Sequence, residues 1–280
     1  MKPMPWPTRN DAPKFLGILN VTPDSFSDGG RYLDPGAAIA RAHELHRDGA
    51  HIIDMGAEST RPGSKPVPPA EQLKRLLPVL TGYLARPRLA ARASIDTSSA
   101  RVVEACLDAG ATMINDVTAL RGDPRMITLL AKRECDIVLM HMRGTPATMQ
   151  KRPAYANVIK TITAFFSERI AACADAGIDS KRLILDPGIG FGKTLEHNLT
   201  ILNHLSEFNA LGCDLMLGAS RKGFLGTLTH EPRPENRVVA SVAAMIYAVE
   251  SAGVRYVRVH DVKEHVQASI VLRALTRGTV

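Results

Sequence analysis

Short apolar runs alternate along the chain with segments whose apolar residues recur every three to four positions. The runs are Phe15–Val21, His51–Met55, Ala91–Asp96, Met113–Asp116, Asp136–His141, Arg182–Asp186, Asp214–Ala219 and Tyr256–His260. Each is rich in Ile, Val, Leu or Met and short enough for a buried strand. Between them lie amphipathic stretches such as "DPGAAIARAHELHRDGA", "PPAEQLKRLLPVL", "SSARVVEACLDAG" and "NVIKTITAFFSERIAACADAG". Strand and helix in alternation predict parallel strands joined by right-handed crossovers. About eight such units in 280 residues predict a single-domain α/β fold, a closed (β/α)8 TIM barrel, with a doubly wound open sheet as the alternative. Gly49, Gly110, Gly177 and Gly253 each stand just before a strand, where a helix ends cheaply in a left-handed cap. Residues 1–14, with four prolines, read as a lead-in segment, and residues 15–280 as the barrel.

Strand C-terminal ends converge on one face of such a barrel, and loops there build the site. Taken in order, the ends carry Asn20, Asp54 with Glu58, Asp96, Asn115 with Asp116, His141, Asp186, Ser220 with Lys222, and Arg258 with His260. One polar strand end is ordinary, but a full ring of them predicts a binding site. Two of the following loops, "TPDSFSDGG" and "AESTRPGSKP", hold too much Gly, Ser and Pro for strand or helix. They are expected to close over substrate.

Composition narrows the function classes. Hydrophobic content of 45% and charged content of 22% are those of an ordinary globular protein. The N-terminal stretch lacks the apolar core of a secretory signal, and no apolar run is long enough to span a bilayer. The net charge of +7 is spread rather than clustered, and aromatics make up 5%, which disfavours a nucleic-acid partner. Cys106, Cys135, Cys173 and Cys213 show no C-x-x-C spacing, which argues against a thiolate metal site and fits a reducing compartment, the cytoplasm. "GIGFGKT" has Pro187 where a phosphate-binding loop needs its first glycine, and Lys193 where a dinucleotide fingerprint needs its third. No G-x-S-x-G or Cys–His nucleophile arrangement is present.

Eight segments, in order, resemble the dihydropteroate synthase family: "GILNVTPDSFSDGG", "ESTRPG", "SIDT", "NDV", "MHMRGTP", "DPGIGFGK", "SRKGFLG" and "RVHDV". The resemblance implies a (β/α)8 fold and commonly a homodimer. It also implies condensation of 6-hydroxymethyl-7,8-dihydropterin diphosphate with p-aminobenzoate in folate biosynthesis, with magnesium as cofactor and sulfonamides as inhibitors. By the same resemblance Asp186, Asp96, Asn115 and Lys222 bind the pterin, with Met140 and Phe191 packed near the rings. Phe26, Thr60, Arg61, Pro62 and Ser220 form the p-aminobenzoate side. Asn20, Arg258 and His260 take the diphosphate, Asn20 also takes the metal, and Asp28, Arg61 and Lys222 are the catalytic candidates.

Chemistry supports several of these roles. The pterin's pyrimidinone edge presents parallel donors that one carboxylate can accept. Arg258 and His260, two apart on a strand, face the same side. A helix beginning near Ser220-Arg221-Lys222 would aim backbone N–H groups at a carboxylate. Gly223 stands where some relatives carry serine, so no hydroxyl contact transfers to it, and Ala57 stands where glycine is more usual and is expected to restrict the backbone. Two rivals share much of this pattern: a pterin-binding methyltransferase domain serving a cobalamin protein, and a homologue that binds pterin without condensing it. His43, His46 and His197 read as solvated helix residues, and His141 as a residue that orients a loop.

Overall fold

The computed structural model describes residues 12–22, 34–59, 64, 66–86 and 90–277. Eight parallel strands close in sequence order: β1 (Lys14–Asn20), β2 (Ile52–Gly56), β3 (Arg92–Asp96), β4 (Met113–Asp116), β5 (Asp136–Met140), β6 (Leu183–Asp186), β7 (Asp214–Leu217) and β8 (Tyr256–Val259). The closed barrel decides against the open sheet, and every predicted strand appears with its ends moved by no more than two residues. Around it run α1 (Pro35–Arg47), α2 (Pro69–Leu84), α3 (Ala100–Asp108), α4 (Met126–Leu130), α5 (Val158–Asp175), α6 (Leu195–Asn203), α7 (Gly223–Thr229), α8 (Val238–Ala252) and α9 (Val262–Arg277). Local chemistry starts several of them. Asp34 accepts from the backbone N–H groups of Gly36 and Ala37 before α1, and Thr194 opens α6 in a capping box with His197. The four predicted capping glycines all have positive φ.

Strand periodicity divides the apolar residues into two cores. Outward-facing positions such as Phe15, Leu19, Ile53, Ile95, Ile114, Leu139, Leu185, Leu217 and Val257 pack beneath the helices in one large cluster. Inward-facing Leu16, Ile52, Met113, Val138, Ile184, Met216 and Tyr256 form a second cluster that plugs the barrel. One pleat further along the strands, the same inner face is polar. There stand Asp54, Asp96, Asn115, Asp186 and Arg258, above an apolar floor that closes the opposite end.

Candidate active site at the barrel mouth

Arg258 organises the polar layer. Its Nε donates to Asp54 Oδ2 at 2.6 Å and its Nη2 to Asp96 Oδ2 at 2.8 Å. Asn115 Nδ2 donates to the same Asp54 oxygen at 3.1 Å. Gly56, Asp96 and Asn115 align in register across β2, β3 and β4, as do Met140 and Asp186 across β5 and β6. Burial pushes Asp96 up to about 7, against the pull of Arg258 and with help from Asp54, Asp116 and Glu58. Burial would lower Arg258, but Asp54 and Asp96 hold its pKa above the ordinary arginine value. Asp54 Oδ1 and Ser94 Oγ are buried and have no hydrogen-bond partner among the described residues, so the layer keeps polar capacity in reserve. Arg258, expected on the diphosphate, is therefore already the counter-ion of two acids.

Asp186 ends β6 facing inward, and its Oδ1 accepts from the Gly188 N–H at 2.8 Å. Burial raises its pKa, while Lys222, the Gly188 N–H, Arg258 and Lys193 oppose the rise and favour the carboxylate. Lys222 faces it across the mouth. Its Nζ donates to the Ile189 carbonyl and lies 4.3 Å from the centre of the Phe191 ring. Burial lowers Lys222 to about 8 despite Asp186. Next to this pair is Gly218: a Cβ there would lie 3.3 Å from Asp186 Oδ2 and 3.9 Å from Lys222 Nζ. Gly56 occupies a similar inward position beside Asp96, with 3.5 Å to the Asp96 Cβ. Two glycines among the polar ends leave a gap lined by hydrogen-bonding groups, a shape suited to a flat heterocycle. Neither glycine was legible in sequence, because an isolated glycine at a strand end usually signals only a turn.

On the other side of the mouth, Ser220 Oγ and His260 Nδ1 are 3.1 Å apart, and the His260 N–H donates to the same hydroxyl at 3.2 Å. Arg221, at φ 58°, lays its guanidinium along the Asp261 carboxylate, and its N–H donates to Ser241 Oγ at 2.9 Å. These contacts clamp the loop after β7 to the end of β8. Asn20 closes β1 in register with Gly56. Among the described residues no group of three or more His, Cys, Asp and Glu side chains could hold an ion. The carboxamide oxygen of Asn20 is a hard donor, and it fits a cation that draws its remaining ligands from phosphate oxygens and water.

Several expectations change. The helix after Ser220 begins at Gly223, with Lys222 at its N-cap, so it starts after the tripeptide. Asp116 takes the outward parity of β4 and caps a turn, accepting from Thr118 N–H at 2.8 Å and Leu120 N–H at 2.9 Å. It does not join the mouth. Glu58 accepts from Gln72 Nε2 at 3.0 Å and from the Val67 N–H at 3.3 Å, fixing the stem that precedes α2. Ala57 is buried and is not among the residues with positive φ, so glycine is not required there. The three helix histidines are structural: His43 packs 4.9 Å from the Tyr83 ring, His46 Nδ1 lies 3.2 Å from the Ala50 carbonyl, and His197 completes the α6 cap. Phe26, Asp28, Thr60, Arg61 and Pro62 lie outside the described residues, as do residues 1–11 of the lead-in segment. A cleft of about 480 Å³ between α5 and α6 contains none of the mouth residues.

A family model described as pterin binding enzyme matches residues 16–260. The dihydropteroate synthase of Synechocystis sp. is 42% identical over 262 residues, covering 94% of this chain and 90% of its own. Among solved structures, the Yersinia pestis dihydropteroate synthase with a sulfonamide drug complex superimposes with a TM-score of 0.89. It is 42% identical and covers 96% of this chain and 95% of its own. The Xanthomonas albilineans dihydropteroate synthase with 4-aminobenzoic acid gives 0.88 at 43% identity, over 95% and 94% of the two chains.

Proposed function

The chain belongs to the dihydropteroate synthase family, and we propose from that premise how its residues divide the reaction. The enzyme condenses 6-hydroxymethyl-7,8-dihydropterin diphosphate with p-aminobenzoate to give 7,8-dihydropteroate and diphosphate, a step of folate biosynthesis. The arylamine lone pair forms a C–N bond to the pterin methylene as the C–O bond breaks, diphosphate leaves with the bonding pair, and the nitrogen releases one proton to the departing diphosphate or to solvent. An arylamine is neutral at pH 7 and already nucleophilic, so the protein's task is orientation and electrostatic preorganisation.

One observation carries the assignment of the pterin: the buried Asp186 carboxylate faces Lys222 across the gap left by Gly218. Asp186 accepts the two parallel donors of the pyrimidinone edge, and Lys222 donates to a ring acceptor. Asn115 and Asp96 meet the remaining ring positions, with Met140 and Phe191 against the faces. A ring lacking those donors strands a buried carboxylate and is rejected by a few kcal/mol, about a hundredfold. His260 and Asn20 take the diphosphate, and Arg258 adds its field from the floor of the mouth while held by Asp54 and Asp96. Magnesium, held by Asn20 and phosphate oxygens, supplies charge neutralisation for the leaving group when bound. Ser220 and the first turn of α7 receive the p-aminobenzoate carboxylate, with Phe26, Thr60, Arg61 and Pro62 completing that pocket. Asp28 is assigned, by resemblance to the family, to the positive charge that grows on the methylene.

Exposed Val239 and Tyr247 on α8 and Ile270, Val271 and Leu275 on α9 favour a homodimer through this flank. Four buried free cysteines fit a reducing cytoplasm. The test incubates the protein with magnesium, the pterin diphosphate and p-aminobenzoate. Stoichiometric diphosphate and dihydropteroate are expected. Diphosphate without dihydropteroate would mean a hydrolase, and binding without either would mean a non-catalytic homologue. Within that assay, Asp28→Ala and Arg61→Ala are expected to lower turnover and raise the p-aminobenzoate KM; unchanged constants would refute the loop assignment.

A further inference from the structure

Lys193 is a charged side chain deep in the protein, 3% exposed, that the reaction as described does not use. It stands next to last in the loop 187–194 between β6 and α6. That loop is wound tightly by Gly188, Gly190 and Gly192, with φ of 68°, 80° and 67°. A Cβ on Gly188 would come within 2.0 Å of the His141 carbonyl, and one on Gly192 within 2.5 Å of the Arg143 carbonyl. The loop therefore lies close against the backbone of the segment that leaves β5. Lys193 crosses this seam. Its Nζ donates to the Phe191 carbonyl at 3.0 Å and to the His141 carbonyl at 3.3 Å, and lies 3.1 Å from His141 Nδ1. The amine thus has three polar neighbours, one on the loop and two on the residue after β5.

The loop so fastened presents two groups to the mouth, the Ile189 carbonyl and the Phe191 ring, and both touch Lys222. We infer that Lys193 is a positioning residue for the pterin half of the site: it ties the 187–194 loop to the end of β5 and thereby sets where Lys222 stands opposite Asp186. The placement is costly, which argues against a role in stability alone. Burial lowers Lys193 to about 7 and, with Lys193 beside it, His141 to about 3, so His141 is a neutral acceptor. A plain apolar contact would close the same seam without that penalty. The inference rests on the pterin reading of Asp186 and Lys222.

Calorimetric binding of the pterin diphosphate and steady-state kinetics test it on Lys193→Met and the milder Lys193→Gln. Arg182→Met serves as a stability control. It removes a guanidinium that donates to the Leu130, Arg133 and Cys135 carbonyls at the far end of the barrel. The expected result is pterin Kd and KM raised about tenfold in the Lys193 variants, with p-aminobenzoate KM within twofold of wild type. In a Lys222→Met background, Lys193→Met should weaken pterin binding by less than about threefold, since the residue it positions is gone. Arg182→Met should lower Tm without moving either KM. The inference is overturned if both KM values rise together as Tm falls, if neither moves, or if the two lysine substitutions add in full. Should Lys193→Met not fold, Lys193→Gln gives the same readings. Asp186→Asn separates the two ideas: if it leaves pterin binding intact, the pterin reading itself fails, whatever the lysine variants do.

Discussion

The inner face of the barrel changes character within one pleat of its eight strands. The floor is apolar: Leu16, Ile52, Met113, Val138, Ile184, Met216 and Tyr256 interlock and exclude water. The layer above holds three buried carboxylates, an arginine and an asparagine, and two of its buried oxygens, on Asp54 and Ser94, have no partner among the described residues. Burial of the floor contributes stability roughly in proportion to area, at about 25 cal/mol per Å². Burial in the upper layer works against stability, since each acid must be desolvated and paired. The barrel thus rests on one half of its interior and spends stability in the other, where a ligand rich in donors can use the carboxylates.

The contrast should break most visibly at Asp186. Asp186→Asn keeps the shape but sets an amide donor against the ring's donors. The kcat/KM for the pterin diphosphate should fall about 10³-fold, roughly 4 kcal/mol, with Tm unchanged or raised. A lower Tm with intact kcat/KM would make Asp186 a structural residue. Arg258→Met leaves Asp54 and Asp96 without their counter-ion, and urea unfolding should show a loss of about 3 kcal/mol. Adding Asp54→Asn should recover part of it, which a packing effect would not allow. On the floor, Met216→Ala should cost about 2 kcal/mol of stability and leave both KM values where they were.

The smallest effect is a pH response that runs in opposite directions for binding and for stability. Lys222 titrates near 8 in the folded protein, because burial disfavours its charge, and at an ordinary lysine value when unfolded. Between about 8 and 10.5 the unfolded chain binds more protons, so the contribution of this residue to stability rises with pH across that window. Over the same window the ammonium proposed to meet the pterin disappears, and kcat/KM should decline as pH passes about 8. In Lys222→Met this alkaline limb should be missing; its survival would assign the limb to another group.

Strand positions, the barrel and the ring of polar ends were all legible from one-dimensional pattern. Period-two alternation names the face, and the change of periodicity marks the strand boundaries within two residues. The same alternation, carried through β4, also puts Asp116 on the helix side. Pairing across the barrel is another matter. Arg258 meets Asp54 and Asp96 from 204 and 162 positions away in sequence, and no local pattern announces such a match. Lys193 stood in the sequence only as the last residue of the family segment "DPGIGFGK" and as the position that breaks a dinucleotide fingerprint, since two of its three partners lie on His141 after the neighbouring strand.

By itself the sequence determined the order of strands and helices, the side of each strand that turns inward, and the family whose segments it repeats. Those properties follow from local periodicity and from residue types at short spacing. Only the tertiary structure decided which cation neutralises which acid, which glycines leave room at the mouth, and which lysine stands beside Asp186 while another lies against the carbonyls of His141 and Phe191. Barrel closure makes those decisions, because it places residues far apart in the chain within one low-dielectric space where each charge must find its partner.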